Sequence, residues 1–105
     1  MAMAAHHPAR KTTFELDLYV ADTLMRDLVG HDHRPSAFLV YLAIAASGAD
    51  GARGLSHADL AEMTGLSRRS VQDAVRHLAR RKLIEVHRPG PTETALYRAL
   101  RPWRR

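Results

Sequence analysis

Apolar residues recur at helical spacing through the first third of the chain, starting at Phe14. Five of them follow one another at intervals of four, three, four and three residues, which places them on one face of an α-helix. Thr12, with Glu15 three residues later, has the form of a capping box and predicts the start of this helix. A short strand is the alternative for the first residues, because apolar and polar residues also alternate from Phe14 to Val20. The five residues of the stripe are Phe14, Leu18, Ala21, Met25 and Leu28. Such a stripe packs either on a partner or on its own domain.

A second helix is predicted to begin at Pro35, after a loop at residues 30–34 that is rich in His and Asp. Proline suits the first turn of a helix because the N–H that it lacks would have no partner there. The longest apolar run, residues 37–46, is about half as long as a membrane span requires, and residues 1–10 hold no apolar stretch of signal-peptide length. We therefore expect a cytoplasmic protein without a membrane partner.

Residues 55–78 predict two short helices joined by a tight turn. Ser56 can cap the first helix, with Asp59 as its capping-box partner three residues later. Gly65 ends that helix because glycine supplies the positive φ that a helix C-terminus needs, and Ser67 caps the second helix. Two helices joined this closely cross at a steep angle. The residues predicted to fill the space between them are Leu60, Leu66, Val71 and Val75.

Two β-prone stretches follow, at residues 83–87 and 94–100. The segment between them contains Pro89, Gly90 and Pro91, which interrupt both a helix and a strand ladder. The simplest interpretation is an antiparallel hairpin with a loose tip.

Ala61, Gly65, Leu66 and Val71 occupy positions that resemble the diagnostic positions of the helix-turn-helix in bacterial regulators. With the hairpin directly after it, the segment 35–100 resembles the winged-helix domain, in which the hairpin is the wing, residues 88–93 are the wing loop and the helix at Pro35 takes the place of the first core helix. It is similar both to regulators of the MarR and GntR kind and to the winged helices of replication initiators. The resemblance implies a mainly α fold with a small β-hairpin, a winged helix-turn-helix preceded by an extra N-terminal helix.

Positive charge is concentrated in the second half of the chain, although the whole chain has a net charge of only +5. Residues 1–52 carry four Lys and Arg against six Asp and Glu, whereas residues 53–105 carry twelve against five. Fourteen of the sixteen basic residues are Arg, a bias that a GC-rich genome would produce, but that bias does not explain their location. Basic charge on the part that would meet a polyanion is typical of nucleic-acid binding.

The second helix of the helix-turn-helix is predicted to have an outward face rich in Arg and Gln. Arg can pair with guanine O6 and N7, and Gln with adenine N6 and N7, in a major groove. Ser67 and Ser70 at the helix start suit a phosphate oxygen. A solvated charged face is the competing interpretation. The candidate DNA-binding residues, with one from the wing, are Ser67, Arg68, Arg69, Ser70, Gln72, Asp73, Arg76 and Arg88.

Arg88 stands in the wing loop, where it can enter a minor groove, lie on the DNA backbone, or be an ordinary polar loop residue. Tyr97 is expected to pack in the core or the hairpin rather than to stack on a base. The C-terminal tail carries three Arg around Trp103, and it either grazes phosphates or packs its indole back onto the domain.

Enzyme chemistry finds little support in the residues. There is no Cys, and His31 with His33 forms an incomplete ligand set for a metal ion. No phosphate-binding glycine loop or nucleophile motif stands out. His57 and His77 are expected to lie at the surface or to contact a partner rather than to be catalytic. We expect no catalytic residue, no bound metal and no cofactor.

These observations divide the chain into a flexible N-terminus (1–11), an N-terminal helix and loop that form the candidate dimerisation element (12–34), the winged helix-turn-helix domain (35–100) and a basic tail (101–105). We expect a homodimeric bacterial transcriptional regulator that binds specific sequences of double-stranded DNA, a repressor rather than an activator. The pattern points to no particular effector. The alternatives are a winged helix used for protein interaction and an origin-binding part of a replication or plasmid-maintenance assembly.

Overall fold

The computed structural model describes residues 12–48 and 53–104. The flexible N-terminus predicted at residues 1–11 lies outside the described residues. Helix α1 consists of two consecutive π-helical stretches, Val20–Leu24 and Arg26–His31. The other helices are α2 (Pro35–Ser47), α3 (His57–Thr64) and α4 (Arg68–Arg80). The strands are β1 (Arg53–Gly54), β2 (Ile84–His87) and β3 (Leu96–Ala99). The predicted fold class, mainly α with a small β-hairpin, is confirmed.

The three strands form one antiparallel sheet in the order β1-β3-β2. Strands β2 and β3 are the predicted hairpin, with Glu85 opposite Arg98 and Val86 opposite Tyr97. Strand β1 was not predicted, because two residues are too few to show an alternating pattern. It adds Gly54 beside Leu96 and thereby ties the segment before α3 to the hairpin.

Helix α1 differs from the N-terminal helix that the sequence predicts. The predicted capping box at Thr12 is wrong, since residues 13–17 are neither helix nor strand and the helical segment begins at residue 18. The N–H of Asp32 bonds to the carbonyl of Asp27, five residues earlier. A helix with such bonds has more residues per turn than the 3.6 of an α-helix, so residues on the same face are farther apart in the sequence. The buried residues of α1 are accordingly four apart: Val20, Leu24 and Leu28.

Helix α2 lies at the centre of the fold and contacts α1, α3, α4 and β3. Tyr41 is 1% exposed, and its hydroxyl donates to the carbonyl of Leu100 at 2.9 Å, which satisfies its only polar atom inside the core. Tyr97 on β3 is 4% exposed, so the prediction that it packs in the core is confirmed. The other buried residues of α2 are Ala37, Phe38, Val40 and Ile44.

The turn between α3 and α4 has the local chemistry that the sequence predicts. Ser56 Oγ accepts from Asp59 N at 3.0 Å, while Ser56 N donates to Asp59 Oδ2 at 2.9 Å, so the capping box is confirmed. Gly65 adopts a left-handed conformation with φ of 80°, and its N–H bonds to Ala61 O at 2.8 Å. Leu60 and Val71 are fully buried between the two helices.

Within residues 12–48 and 53–104, no helix combines the length and the apolar character that crossing a membrane requires.

Candidate nucleic-acid interface

Helix α4 has one buried side and one exposed side. The buried residues are Val71, Ala74 and Leu78. Arg69, Gln72 and Arg76 lie on the opposite side, where the Arg69 side chain is 84% exposed and that of Arg76 is 68% exposed. The predicted division of this helix into a core face and an outward face is confirmed. That the outward face contacts DNA stays a prediction.

Asp73 lies between the two arginines on the outward face of α4 and pairs with both. Its Oδ2 is 3.7 Å from Arg69 Nε, and its Oδ1 accepts from Arg76 Nη1 at 3.3 Å. Gln72 beside it is exposed and makes no hydrogen bond to another described residue, so its amide is free for an external partner.

The first turn of α4 is held by hydroxyl groups. Ser67 Oγ accepts from the backbone N–H of Ser70 at 3.0 Å and donates to Ser70 Oγ at 3.1 Å. The hydroxyl hydrogen of Ser70 is therefore the one left to donate to an external oxygen. Arg68, the next residue along, is exposed. This end of the helix thus offers a hydroxyl donor and a guanidinium to an anion.

Arg88 follows β2 directly and is exposed. It borders a cleft of about 300 Å³ between the wing loop and the start of α3, which His57 and Thr94 also line. The positive charge of Arg88 opposes the effect of burial on Tyr97, but burial dominates and raises the pKa of that phenol. The wing loop therefore stands beside the helix-turn-helix rather than away from it.

The C-terminal half of α4 is fixed by a polar cluster that the sequence did not predict. Asp32, in the loop before α2, accepts from His77 Nε2 at 2.8 Å and also pairs with Arg81. Burial raises the pKa of the Asp32 carboxyl, but the hydrogen bonds of His31 and His77 and the charge of Arg81 outweigh it and lower the pKa to about 2. His77 was expected at the surface or in contact with a partner, but its side chain is only 12% exposed and bonds to Asp32 within its own domain.

The C-terminal tail is docked on the domain. Trp103 Nε1 donates to Asp17 Oδ2 at 2.7 Å, and the indole stacks on Tyr19 with 4.6 Å between ring centroids. Arg104 Nε also donates to Asp17 Oδ2, at 2.7 Å. The hydrogen bonds from Arg104 and Trp103 lower the pKa of the Asp17 carboxyl to about 2. Of the two alternatives for the tail, the structure therefore supports the packed indole, up to Arg104.

The residues predicted for a dimer interface do not share one surface. Leu28 is 0% exposed and lies in the core of its own domain, so it cannot reach a partner. Leu18 and Met25 on α1 are 73% and 43% exposed, and Ala21 is exposed as well. Phe14, 39% exposed, precedes the helix. Whether the remaining four residues meet a second copy stays a prediction.

His31 and His33 were predicted to form an incomplete ligand set and therefore to bind no metal ion. In the described part of the chain, no three His, Asp or Glu side chains lie close enough together to hold a metal ion. His31 Nδ1 instead lies 3.0 Å from Asp32 Oδ1.

Three core helices, a tight glycine turn, a basic outward helix and an adjoining hairpin define a winged helix-turn-helix, which is a DNA-binding domain. Residues 33–102 match the family model of the Crp-like helix-turn-helix domain, and the chain belongs to that family. No curated protein and no solved structure matches the chain. The closer resemblance to regulators of the MarR and GntR kind stays a prediction.

Proposed function

We propose that this protein is a transcriptional regulator that binds specific sequences of double-stranded DNA, with α4 in the major groove. The observation that carries the proposal is the outward face of α4, where Arg69, Gln72 and Arg76 are exposed on a helix that is capped at its start and tied to the loop before α2 near its end. A helix held in this way presents its side chains to a groove in one orientation. It therefore loses little conformational freedom on binding.

Each outward residue has a preferred base partner. A guanidinium donates two parallel hydrogen bonds to guanine O6 and N7, which suits Arg69 and Arg76. A carboxamide donates to adenine N7 and accepts from adenine N6, which suits Gln72. Ser67, Arg68 and Ser70 at the helix start suit phosphate oxygens and would set the register of the helix on the duplex.

The wing supplies the second contact. Arg88 is exposed beside the cleft that separates the wing loop from α3, so it is available to the DNA backbone or to a minor groove next to the one that α4 enters. This contact would add affinity for DNA of any sequence, because phosphates carry no sequence information.

We infer that the protein binds as a homodimer. One recognition helix contacts few base pairs, and two-fold dimers read two half-sites about 34 Å apart. The exposed apolar residues Phe14, Leu18, Ala21 and Met25 are the candidate interface. Asp22 and Arg26 lie one turn apart on the same helix. If two copies of α1 paired antiparallel, Asp22 of one copy would face Arg26 of the other.

Repression is the regulatory role that we propose. A dimer bound at a promoter excludes polymerase by occupancy alone, whereas activation needs a further surface for polymerase. No particular effector is proposed.

Selection from a pool of randomised duplexes tests the proposal. The parent protein is expected to enrich one sequence with two related half-sites, and its affinity for that sequence should fall steeply with salt, by about 0.9 logarithmic units per phosphate contact for each tenfold rise. Enrichment of no sequence would overturn the proposal. An affinity for the selected duplex that does not fall with salt would mean that phosphate contacts do not drive the binding.

A further inference from the structure

Asp73 is an acidic side chain on a surface that is otherwise basic. It is the only Asp or Glu in α4, and its side chain is 41% exposed on the same face as Arg69 and Arg76. A negative charge at this place repels phosphates and lowers the affinity for DNA of any sequence. A helix that only bound phosphates would therefore have a higher affinity for DNA without this carboxylate.

Each of the two carboxylate oxygens of Asp73 pairs with a different arginine. Oδ2 faces Arg69, one turn earlier, at its Nε, and Oδ1 accepts from Nη1 of Arg76, one turn later. Because Asp73 meets Arg69 at Nε, both terminal nitrogens of that guanidinium stay free. Arg76 likewise keeps Nη2 and Nε free.

We propose that Asp73 is a positioning residue that holds Arg69 and Arg76 at a fixed separation, so that each presents a free guanidinium edge to its own guanine. The inference rests on the proposed function. Seven residues of α-helix separate the two Cα atoms by about 10 Å along the axis, a distance of about three base-pair steps. A free arginine side chain samples many rotamers, and the pairing of each arginine with the one carboxylate of Asp73 reduces that number before the side chain meets DNA.

Exposed ion pairs of this kind contribute little to the stability of a fold. The effect of Asp73 is therefore expected in the discrimination between bases and not in folding. Removing the carboxylate should raise the affinity for random DNA while it lowers the preference at two base positions. A direct contact of Asp73 with a cytosine would instead change the preference at one further position.

The test compares Asp73→Ala with the parent on the selected sequence, on each of its single-base variants and on a random duplex. The preference at the positions that Arg69→Ala and Arg76→Ala identify should fall about 3- to 10-fold, and the position identified by Gln72→Ala should keep its preference. In an Arg69→Ala background, Asp73→Ala should no longer change the position that Arg69 reads. Asp73→Glu, which keeps the charge at the same spacing, should retain most of the discrimination.

Glu62→Ala on α3 is the matched control for charge, because it removes one exposed acid that pairs with neither arginine. It should raise random-DNA affinity slightly and leave every base preference unchanged. Unchanged preference at both arginine positions in Asp73→Ala, with the parent still selective, would overturn this inference alone. A parent that selects no sequence would overturn the proposed function and this inference together.

Discussion

His77 Nε2 on α4 lies 2.8 Å from Asp32 Oδ2 in the loop before α2, although 45 residues separate the two in sequence. An ionised carboxylate can only accept, so His77 donates through Nε2. Arg81, just after α4, pairs with the same carboxylate oxygen. The cluster fixes the C-terminal end of α4 against the body of the domain, whereas Ser67 caps the first turn of α4.

Stability in acid should depend on Asp32. Its pKa in the folded protein, about 2, lies below the usual 3.8, so the ionised form stabilises the fold above about pH 4 and this contribution is lost as the pH falls from about 4 to about 2. Asp32→Asn should lower the free energy of unfolding at pH 7 by about 1 to 3 kcal/mol and flatten its decline between those pH values. Urea unfolding measured from pH 2 to 7 checks both effects.

Glu62→Gln is the control for that experiment, because the Glu62 side chain is exposed and makes no hydrogen bond to another described residue. Its acid profile should follow that of the parent. An Asp32→Asn variant with the parent's acid profile would show that the cluster does not stabilise α4.

Trp103→Ala should destabilise the fold without weakening DNA binding by the folded protein. The substitution removes the stack on Tyr19, the tilted contact with Tyr41 and the hydrogen bond to Asp17. We expect the free energy of unfolding to fall by about 1 to 3 kcal/mol. Urea titration measures it, and a variant as stable as the parent would mean that the tail does not dock in solution.

The helix-turn-helix could be predicted because its signals are local. Ser56, Gly65 and Ser67 each determine the backbone within three or four residues, and the core face of α4 follows from helical periodicity alone. The hairpin was likewise marked by its proline and glycine loop.

Contacts between distant parts of the chain could not be predicted in this way. Asp32 meets His77 because α4 packs against α2, and Asp17 meets Trp103 because the C-terminal tail docks on Tyr19 and Tyr41. No local pattern encodes either meeting. The π-helical winding of α1 moved Leu28 into the core, whereas an ordinary α-helical periodicity places it on the same face as Leu18. The outward face of α4 could thus be predicted from the sequence, but the long-range contacts that hold α4 and the C-terminal tail in place could not.

Arg88→Ala should weaken binding to all sequences alike and reduce the salt slope by about one phosphate contact. The reason is that a wing arginine meets the backbone or a minor groove, neither of which identifies a base pair fully. Affinity measured against salt concentration for the selected and random duplexes gives both slopes. An unchanged slope would place the wing away from DNA.

If the protein is the homodimer that we propose, Leu18→Glu or Met25→Glu should convert it into monomers while the winged helix stays folded. Each exposed apolar side chain is expected to contribute about 1.5 to 3 kcal/mol at the interface, and a charge there opposes association. Sedimentation at micromolar concentration, with circular dichroism for the fold, decides the matter. A parent that is already monomeric, or a Leu18→Glu variant that stays dimeric, would remove α1 from the interface.

The central claim is that the outward face of α4 reads DNA sequence, and alanine substitution of Arg69, Gln72 and Arg76 one at a time tests it most directly. Each variant should bind the selected duplex about 1 to 3 kcal/mol more weakly, lose preference at one base position and unfold at the parent's urea concentration. Variants that bind the selected duplex as tightly and as selectively as the parent would contradict the claim.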